Sequence, residues 1–335
     1  MSDQPSRPFY FDCDTGVDDS LALAYLVGSP EIDLVGVGTV SGNVSSAQAA
    51  RNTLDLLELA GRGDVPVAVG AADHLTRPFE GGVPQIHGRN GLGNVAVPEA
   101  AAGPIDGTAA ELLIALARQY PGELSVVAVG PLTNLALALD LEPDLATLVK
   151  DVTVMGGAAL APGNITPVAE ANIGNDPEAA ARVFEADWPI TLVPLDVTME
   201  NVFEEEHRAA LLASPAPLPN ALGQILDLYF DFYTTTYGRR SSALHDPLAA
   251  AIAVGGIIPV NAPRVSVVID ATDGPGRGQT ICDLRDQRLG PVDQPGARCR
   301  VVLSTDRPLA DHLVERILAH VRTPAEASAT GSTAR

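Results

Sequence analysis

Four aspartates, Asp12, Asp14, Asp18 and Asp19, lie within eight residues near the start of the chain. Like charges this close repel one another unless a positive charge or a set of hydrogen-bond donors compensates them. Carboxylate oxygens are hard ligands of the kind that calcium and magnesium take from proteins. The spacing therefore predicts a divalent-cation site, and the alternative is a helix cap with the remaining aspartates in solvent.

Further polar side chains follow other apolar runs, namely Asn43, Thr133, Asn134, Asn164, Glu170 and Asn172. Two more, His245 and Asp246, open a helical pattern. Taken singly, they have ordinary explanations, since Asp246 is a good helix cap, His245 a buried histidine and Asn43 a turn former. Gathered at one edge of a sheet, these acids, amides and one imidazole predict a polyhydroxylated ligand bound beside a metal.

These residues need a scaffold that brings the ends of several strands together. Apolar runs at 9–11, 32–40, 65–69, 124–129, 152–155 and 190–195 alternate with helical spacing at 20–26, 47–60, 109–119, 177–185, 222–236 and 310–321. This alternation predicts an α/β fold with an open, mostly parallel sheet flanked by helices, in which ligands bind at the carboxyl ends of the strands. The Gly- and Pro-rich stretch 71–107 is too long for an ordinary connection, and we predict an active-site loop there.

Composition restricts the class of partner. The chain has 335 residues and a formal net charge of −21, which argues against nucleic-acid and anionic-membrane partners. No apolar run reaches the roughly 18 residues of a membrane span, and the start lacks the features of a signal peptide, so we expect a cytoplasmic protein. Three widely spaced cysteines predict neither a disulfide framework nor a zinc site. We expect a single domain at residues 1–323 and a disordered tail at 324–335.

The motifs resemble those of one enzyme family. They are D-x-D-x-G-x-D-D at 12–19, G-N at 42–43, G-P-L-T-N at 130–134, M-G-G at 155–157, G-N at 163–164, E-x-N at 170–172 and L-H-D-P at 244–247. In this order they are similar to the nucleoside hydrolases, the inosine-uridine-preferring nucleoside N-ribohydrolases, over about residues 8–321. The resemblance implies a Rossmann-like fold, hydrolysis of ribonucleosides to ribose and free base, and a homodimer or homotetramer.

The resemblance also implies a metal and its ligands. A calcium ion is held by carboxylates that match Asp14, Asp19 and Asp246 and by the backbone carbonyl that matches Thr133. Asp14 then also serves as the general base that activates a metal-bound water.

A second set of matching residues concerns the ribose. The resemblance places Asp18 on the 2′-hydroxyl and Asn172 near the 3′-hydroxyl. It places Asn164 and Glu170 on the 5′-hydroxyl. Two further residues line the same sugar pocket, namely Asn43 and Met155.

The remaining matches concern the base. His245 resembles a histidine that interacts with the leaving base in purine-handling members, and His87 matches a loop residue that approaches the sugar or the base. The chain departs from the family at Thr15, where proline is usual, and at Ala171, where an aromatic residue often flanks the sugar. The preferred base therefore stays open at this point.

The residue types suit the reaction. Cleavage of an N-glycosidic bond passes through an oxocarbenium-like state, so the site must supply a nucleophilic water, stabilise positive charge and ease departure of the base. Carboxylates and amides stabilise the cationic sugar, and His245 is placed to assist the base. With Asp14 as the single base on water, we expect direct displacement with inversion at the anomeric carbon.

Two other functions are compatible with parts of the sequence. D-x-D-T-G also opens haloacid-dehalogenase phosphotransferases, but these need a phosphate-binding lysine, and the only lysine is Lys150. A non-catalytic protein that binds nucleosides or sugars through calcium is the second alternative. The stripe Tyr229, Tyr233 and Tyr237 at helical spacing indicates either a wall against the base or ordinary packing.

Overall fold

The computed structural model describes residues 6–320, in which strands and helices alternate along most of the chain. The strands are β1 (Arg7–Cys13), β2 (Ile32–Thr39), β3 (Val67–Val69), β4 (Ser125–Ala128), β5 (Asp151–Met155), β6 (Ile190–Val193), β7 (Val202–Glu204), β8 (Ser241–Ala243), β9 (Arg264–Val265), β10 (Val267–Ile269), β11 (Thr280–Cys282) and β12 (Cys299–Val301). The helices are α1 (Val17–Val27), α2 (Ser46–Leu59), α3 (Pro84–His87), α4 (Ala109–Gln119), α5 (Thr133–Leu141), α6 (Leu145–Leu148), α7 (Ala171–Asn175), α8 (Pro177–Glu185), α9 (Leu195–Thr198), α10 (Glu205–Leu212), α11 (Pro217–Tyr237), α12 (His245–Val254) and α13 (Ala310–His320).

An eight-stranded sheet runs through the middle of the molecule in the order β3-β2-β1-β4-β5-β6-β12-β9. Neighbouring strands are parallel except β9, which pairs antiparallel with β12 at the edge. The predicted fold class, an open and mostly parallel sheet flanked by helices, is confirmed. Strand β1 lies between β2 and β4, so the order in which strands are added to the sheet reverses at β1. Open α/β sheets bind ligands outside the carboxyl ends of the strands at such a point.

The local sequence explains why the aspartates end up at this edge. Residues 8–13 of β1 are all buried, as expected for a central parallel strand covered on both faces. The chain then turns at Gly16, and the Asp19 carboxylate accepts the Gly16 amide at 2.8 Å, which closes the first turn of α1. The acidic run therefore lies between a strand end and a helix start.

Helices cover both faces of the sheet. One apolar cluster joins α1, α2, α11, α12 and α13, and a second joins α4, α5 and α8 on the other face. Helix α1 packs directly against α12, which brings the first turns of these two helices together. This contact places Asp18 and Asp19 beside His245 and Asp246.

Most elements agree with the sequence pattern, and the differences have local causes. The helices predicted at 109–119 and 177–185 are confirmed without change, whereas α11 begins at Pro217 rather than at residue 222. Proline is well suited to a first helical position because its missing N–H has no intrahelical partner there. The six strands β7 to β12 were not predicted, since each has only two or three residues.

The described residues cover part of the remaining expectations. Within residues 6–320, no helix combines the length and apolar character needed to cross a membrane. The tail expected at 324–335 lies outside the described residues, so the domain boundary at residue 323 stays a prediction.

Candidate active site

A cavity of about 280 Å³ opens at the carboxyl ends of the central strands. Its floor, as used below, is formed by the buried lining residues Asp18, His87, Val129, Met155, Glu170, Asn172, Tyr229, Tyr233, His245 and Asp246. Its mouth is formed by the partly exposed residues Asn43, Val83, Ile86, Asn164, Ile165, Ala171, Met199, Phe232 and Thr236. Nine residues predicted from the sequence line this cavity, and Asp14, Asp19 and Thr133 adjoin it.

Carboxylates gather at the floor. Asp18, Asp19 and Asp246 each present an oxygen, and these oxygens lie within 4.8 Å of one another. Burial and the neighbouring carboxylates raise the pKa of Asp18 to about 7 and raise the pKa of Asp246 well above its usual range. No arginine or lysine is among the described residues that line the cavity. The negative charge of this group is therefore not balanced by a basic side chain among the described lining residues.

Asp14 lies at the end of β1 next to this group. Its backbone amide donates to Asp19 at 3.1 Å, and its Oδ2 accepts the Asn43 amide at 2.6 Å. Its Oδ1 is buried and has no hydrogen-bond partner in the described part of the chain, and the same holds for Oδ1 of Asp18. A side chain at Gly42 would clash with Oδ2 of Asp14, because an added Cβ would lie 2.0 Å from it. The Asp14 carboxylate is thus held on one side and free on the other.

The donor set fits a hard divalent cation. Buried carboxylate oxygens without hydrogen-bond partners are costly unless a positive charge joins them. All candidate ligand atoms here are oxygens, which favours calcium or magnesium over zinc or copper.

Thr133 is the first residue of α5, directly after the β4 strand end. An added Cβ at Gly130 of the same turn would lie 3.1 Å from Oδ1 of Asp14, so this turn lies beside the carboxylate group. The Thr133 hydroxyl donates to the fully buried Asp176 at 2.7 Å. Asp176 was not predicted as part of the site, because its only local signal is that of a helix cap before Pro177.

The residues predicted to hold the ribose are fixed by the backbone around them. Both Glu170 oxygens are occupied, since the amides of Asn172 and Gly157 each donate at 2.8 Å. The Asn172 side chain donates to the carbonyls of Val129 at 2.8 Å and Met155 at 3.0 Å. These contacts orient the amide and carboxylate groups toward the cavity before any ligand enters.

Asn164 is held more loosely at the mouth. Its side-chain oxygen accepts the Ala171 amide at 2.9 Å, while the residue itself is exposed.

Both predicted histidines reach the floor. His245 is bonded at Nε2 to the Tyr233 hydroxyl at 2.6 Å and at Nδ1 to the Thr198 hydroxyl at 2.8 Å. His87 accepts the Val17 amide at Nδ1, 3.0 Å away. Burial lowers the pKa of His245 to about 4 and that of His87 to about 3, so both rings are neutral near pH 7.

The tyrosine stripe has two roles. Tyr229 and Tyr233 line the floor, and their ring centroids lie 5.0 Å apart. Tyr237 instead donates its hydroxyl to the Met199 carbonyl at 2.9 Å and does not line the cavity. Of the long loop 71–107, only Val83, Ile86 and His87 line the cavity.

The chain is similar to known proteins over most of its length. Residues 9–310 match the model of the inosine-uridine preferring nucleoside hydrolase family. A probable uridine nucleosidase 2 from Arabidopsis thaliana is 40% identical over 242 residues, which cover 72% of this chain and 75% of that protein.

Solved structures are similar as well. A plant nucleoside hydrolase superposes with a TM-score of 0.87 at 33% identity, covering 94% of this chain and 100% of the other. A purine-preferring ribonucleoside hydrolase from Gardnerella vaginalis superposes with a TM-score of 0.84 at 32% identity, covering 94% of this chain and 98% of the other.

Proposed function

Because the chain belongs to the family of inosine-uridine preferring nucleoside hydrolases, which cleave the N-glycosidic bond of ribonucleosides, we propose that the cavity described above is its active site. The protein is a nucleoside hydrolase, and the proposal concerns how its residues do this chemistry. The observation that carries the proposal is the group of buried carboxylates at the cavity floor, whose lining within residues 6–320 includes no arginine or lysine.

We propose that Asp14, Asp19, Asp246 and the Thr133 carbonyl hold a calcium ion. Three carboxylates and a carbonyl exceed what magnesium usually takes from protein, because magnesium keeps several waters, whereas calcium accepts six to eight flexible oxygens. When bound, the ion supplies positive charge that balances the carboxylates and polarises a water molecule and the ribose hydroxyls. Elemental analysis of the purified protein tests this, and full activity after exhaustive chelation contradicts it.

Asp14 is the proposed general base. Its Oδ2 is fixed by the Asn43 amide, and its buried Oδ1 has no partner among residues 6–320, so that oxygen is available to take a proton from the attacking water. No second carboxylate is required as a nucleophile. Displacement by this water inverts the anomeric carbon, which the anomer of the released ribose reports when it is observed by NMR before mutarotation.

Four residues are proposed to bind the sugar, namely Asp18, Glu170 and Asn172 on the floor and Asn164 at the mouth. Oδ1 of Asp18, which is buried and has no hydrogen-bond partner within residues 6–320, is assigned to the 2′-hydroxyl, and Asn172, also on the floor, is assigned to the 3′-hydroxyl. Glu170 and Asn164 receive the 5′-hydroxyl. Their carboxylate and amide oxygens also favour the positive charge that develops on the sugar.

His245 is proposed to assist the leaving base as a neutral hydrogen-bonding group. Since its pKa is lowered to about 4 by burial, it does not store a proton near pH 7. Both ring nitrogens are hydrogen-bonded, to the hydroxyls of Tyr233 and Thr198, so His245 contacts the base by exchanging one of these hydrogen bonds for one to the base.

The mouth provides little to distinguish one base from another. Its side chains are mostly apolar, including Val83, Ile165 and Phe232, and such surfaces contact the faces of a ring without reading its edge. Among the similar proteins, one is named as a uridine nucleosidase and another as purine-preferring. We propose that this chain hydrolyses both inosine and uridine. A steady-state panel of inosine, adenosine, guanosine, uridine and cytidine tests this proposal.

The phosphotransferase alternative finds no support in the site. Lys150 is exposed and precedes β5 at the amino ends of the parallel strands, opposite the edge that carries the cavity. The same substrate panel addresses the non-catalytic alternative, because a binding protein would show no turnover. A cytoplasmic location and a homodimeric or homotetrameric assembly stay proposals, and analytical ultracentrifugation measures the second.

A further inference from the structure

Two buried carboxylates at the carboxyl edge of the sheet do not line the cavity. Asp12 is 1% exposed and Asp176 is fully buried. Each accepts a hydrogen bond from one of the first two residues of α5, Thr133 and Asn134, which follow the turn after β4. The Thr133 hydroxyl donates to Asp176 at 2.7 Å, and the Asn134 side-chain amide donates to the two Asp12 oxygens at 3.1 and 3.3 Å.

The same two pairs also hold the loop that follows β3. The Ala71 amide donates to the side-chain oxygen of Asn134 at 2.9 Å, and the Leu75 amide donates to Asp176 at 2.9 Å. This loop continues to Val83 and His87, which line the cavity. The turn after β4 and the loop after β3 are therefore tied together through two side-chain pairs.

These contacts constrain the turn strongly. They are buried, so water cannot replace a lost partner without rearrangement. A hydrogen bond at the Thr133 hydroxyl restricts its side-chain rotamer, and the bonds to Asn134 restrict the next residue. The carbonyl between these two side chains is the one proposed as a calcium ligand.

We infer that Asp176, through the Thr133 hydroxyl, and Asp12, through the Asn134 amide, are positioning residues that aim the Thr133 carbonyl at the calcium ion. This inference rests on the proposed function, specifically on the calcium site. Groups that hold a metal ligand from behind typically contribute 10- to 100-fold to metal affinity.

The test compares two variants at Thr133 that differ in one functional group. Thr133→Val removes the hydroxyl and keeps the shape and the backbone carbonyl, whereas Thr133→Ser keeps the hydroxyl. Calcium dissociation constants are measured by competition with a calorimetrically calibrated chelator. We expect Thr133→Val to raise the dissociation constant by about 10- to 100-fold and Thr133→Ser to leave it within about threefold.

A double-mutant cycle assigns the effect to the pair. Asp176→Ala is expected to weaken calcium binding as well, and the double variant with Thr133→Val should bind calcium no more weakly than the weaker-binding single variant, because both substitutions remove the same hydrogen bond. Additive losses would overturn the role of the pair. Asn134→Ala tests the Asp12 pair in the same titration, and an unchanged dissociation constant removes Asp12 from the inference.

Two controls separate positioning from general loss of stability. Asp55→Asn removes another buried carboxylate, one that does not line the cavity and that accepts the Ala100 backbone amide at a distance of 2.7 Å. This substitution should leave the calcium affinity unchanged. Unfolding temperatures in excess chelator show whether each variant still folds. If Thr133→Val lowers the unfolding temperature but keeps the wild-type dissociation constant, the hydrogen bond is merely structural and the inference is wrong.

The outcomes also separate this inference from the proposed function. Wild-type protein that binds no calcium overturns both. Wild-type protein that binds calcium, together with equal affinities for Thr133→Val and Thr133→Ser, overturns only the positioning role.

Discussion

The floor and the mouth of the cavity are built on different physical principles. Floor residues are nearly inaccessible, with Asp18 5% and Glu170 2% exposed, and the side chains of Glu170 and Asn172 are held by hydrogen bonds to backbone groups. At the mouth, Phe232 is 37% and Ile165 is 50% exposed, and most of the lining side chains are apolar, with Asn43, Asn164 and Thr236 as the polar ones. The floor therefore fixes the positions of the polar groups that a ligand must match, whereas the mouth mainly restricts the shape of the ligand.

This difference predicts where the enzyme is strict. A buried polar site rejects a ligand that leaves one of its groups unpaired, whereas an apolar surface changes affinity only modestly when a ligand changes. The sugar should therefore be recognised strictly and the base tolerantly.

The largest effect is expected from removing one hydroxyl of the sugar. In 2′-deoxyinosine the Asp18 carboxylate loses its partner, so kcat/KM should fall by roughly 10⁴-fold relative to inosine. The loss for 5′-deoxyinosine should be smaller, because Asn164 at the 5′ end is exposed to water. Similar kcat/KM values for inosine and 2′-deoxyinosine would show that the ribose does not lie against Asp18.

The next largest effect concerns the general base. Asp14→Asn keeps the size of the side chain but removes its basicity, so kcat should fall by at least about 10²-fold. The calcium content of the variant, measured alongside, separates loss of the base from loss of the metal. A kcat within a few-fold of wild type would contradict the assignment of Asp14.

A smaller and selective effect is expected at His245. His245→Ala should lower kcat/KM for inosine by about 10- to 100-fold, which corresponds to one buried hydrogen bond of about 1–3 kcal/mol. It should spare a riboside with p-nitrophenol as leaving group, which departs without assistance. Equal losses on both substrates would make the histidine structural, or a contact of the ribose.

The smallest effect is expected at the mouth. Phe232→Ala removes apolar contact with the base, so KM should rise by roughly 3- to 30-fold for both inosine and uridine, with kcat nearly unchanged. Asp231→Ala is a matched control, because Asp231 is the neighbouring residue on α11 and does not line the cavity. A change confined to one of the two substrates would show that the mouth distinguishes bases after all.

Several features of the fold could be predicted because their causes are local. The buried run of β1 depends on neighbours within a few residues, and so does the helix predicted at 109–119. The helix predicted at 20–26 begins earlier, at Val17, with Gly16 at the cap position. The α/β alternation then implies that the strand ends share one edge. Membership of the nucleoside hydrolase family, inferred from ordered motifs, is confirmed.

The supporting residues of the site could not be predicted in this way. Thr133 and Asp176 are 43 residues apart in the chain, Asp176 and Leu75 are 101 apart, and Asn134 and Asp12 are 122 apart. No periodicity links residues at such separations, and an isolated aspartate before Pro177 signals only a helix start.

The sequence by itself determined six strands of the central sheet, the longer helices and the residue types available at their ends, because these depend on periodicity and on capping groups that lie within one or two turns. Only the tertiary structure decided which carboxylates face the cavity and which, like Asp12 and Asp176, hold the turn behind it. It also decided that Phe232 and Ile165 form the mouth. The reason is that burial and hydrogen-bond pairing between distant segments arise from the packing of α1 on α12 and of loops over the sheet edge. Local patterns in the sequence do not show which distant segments pack together.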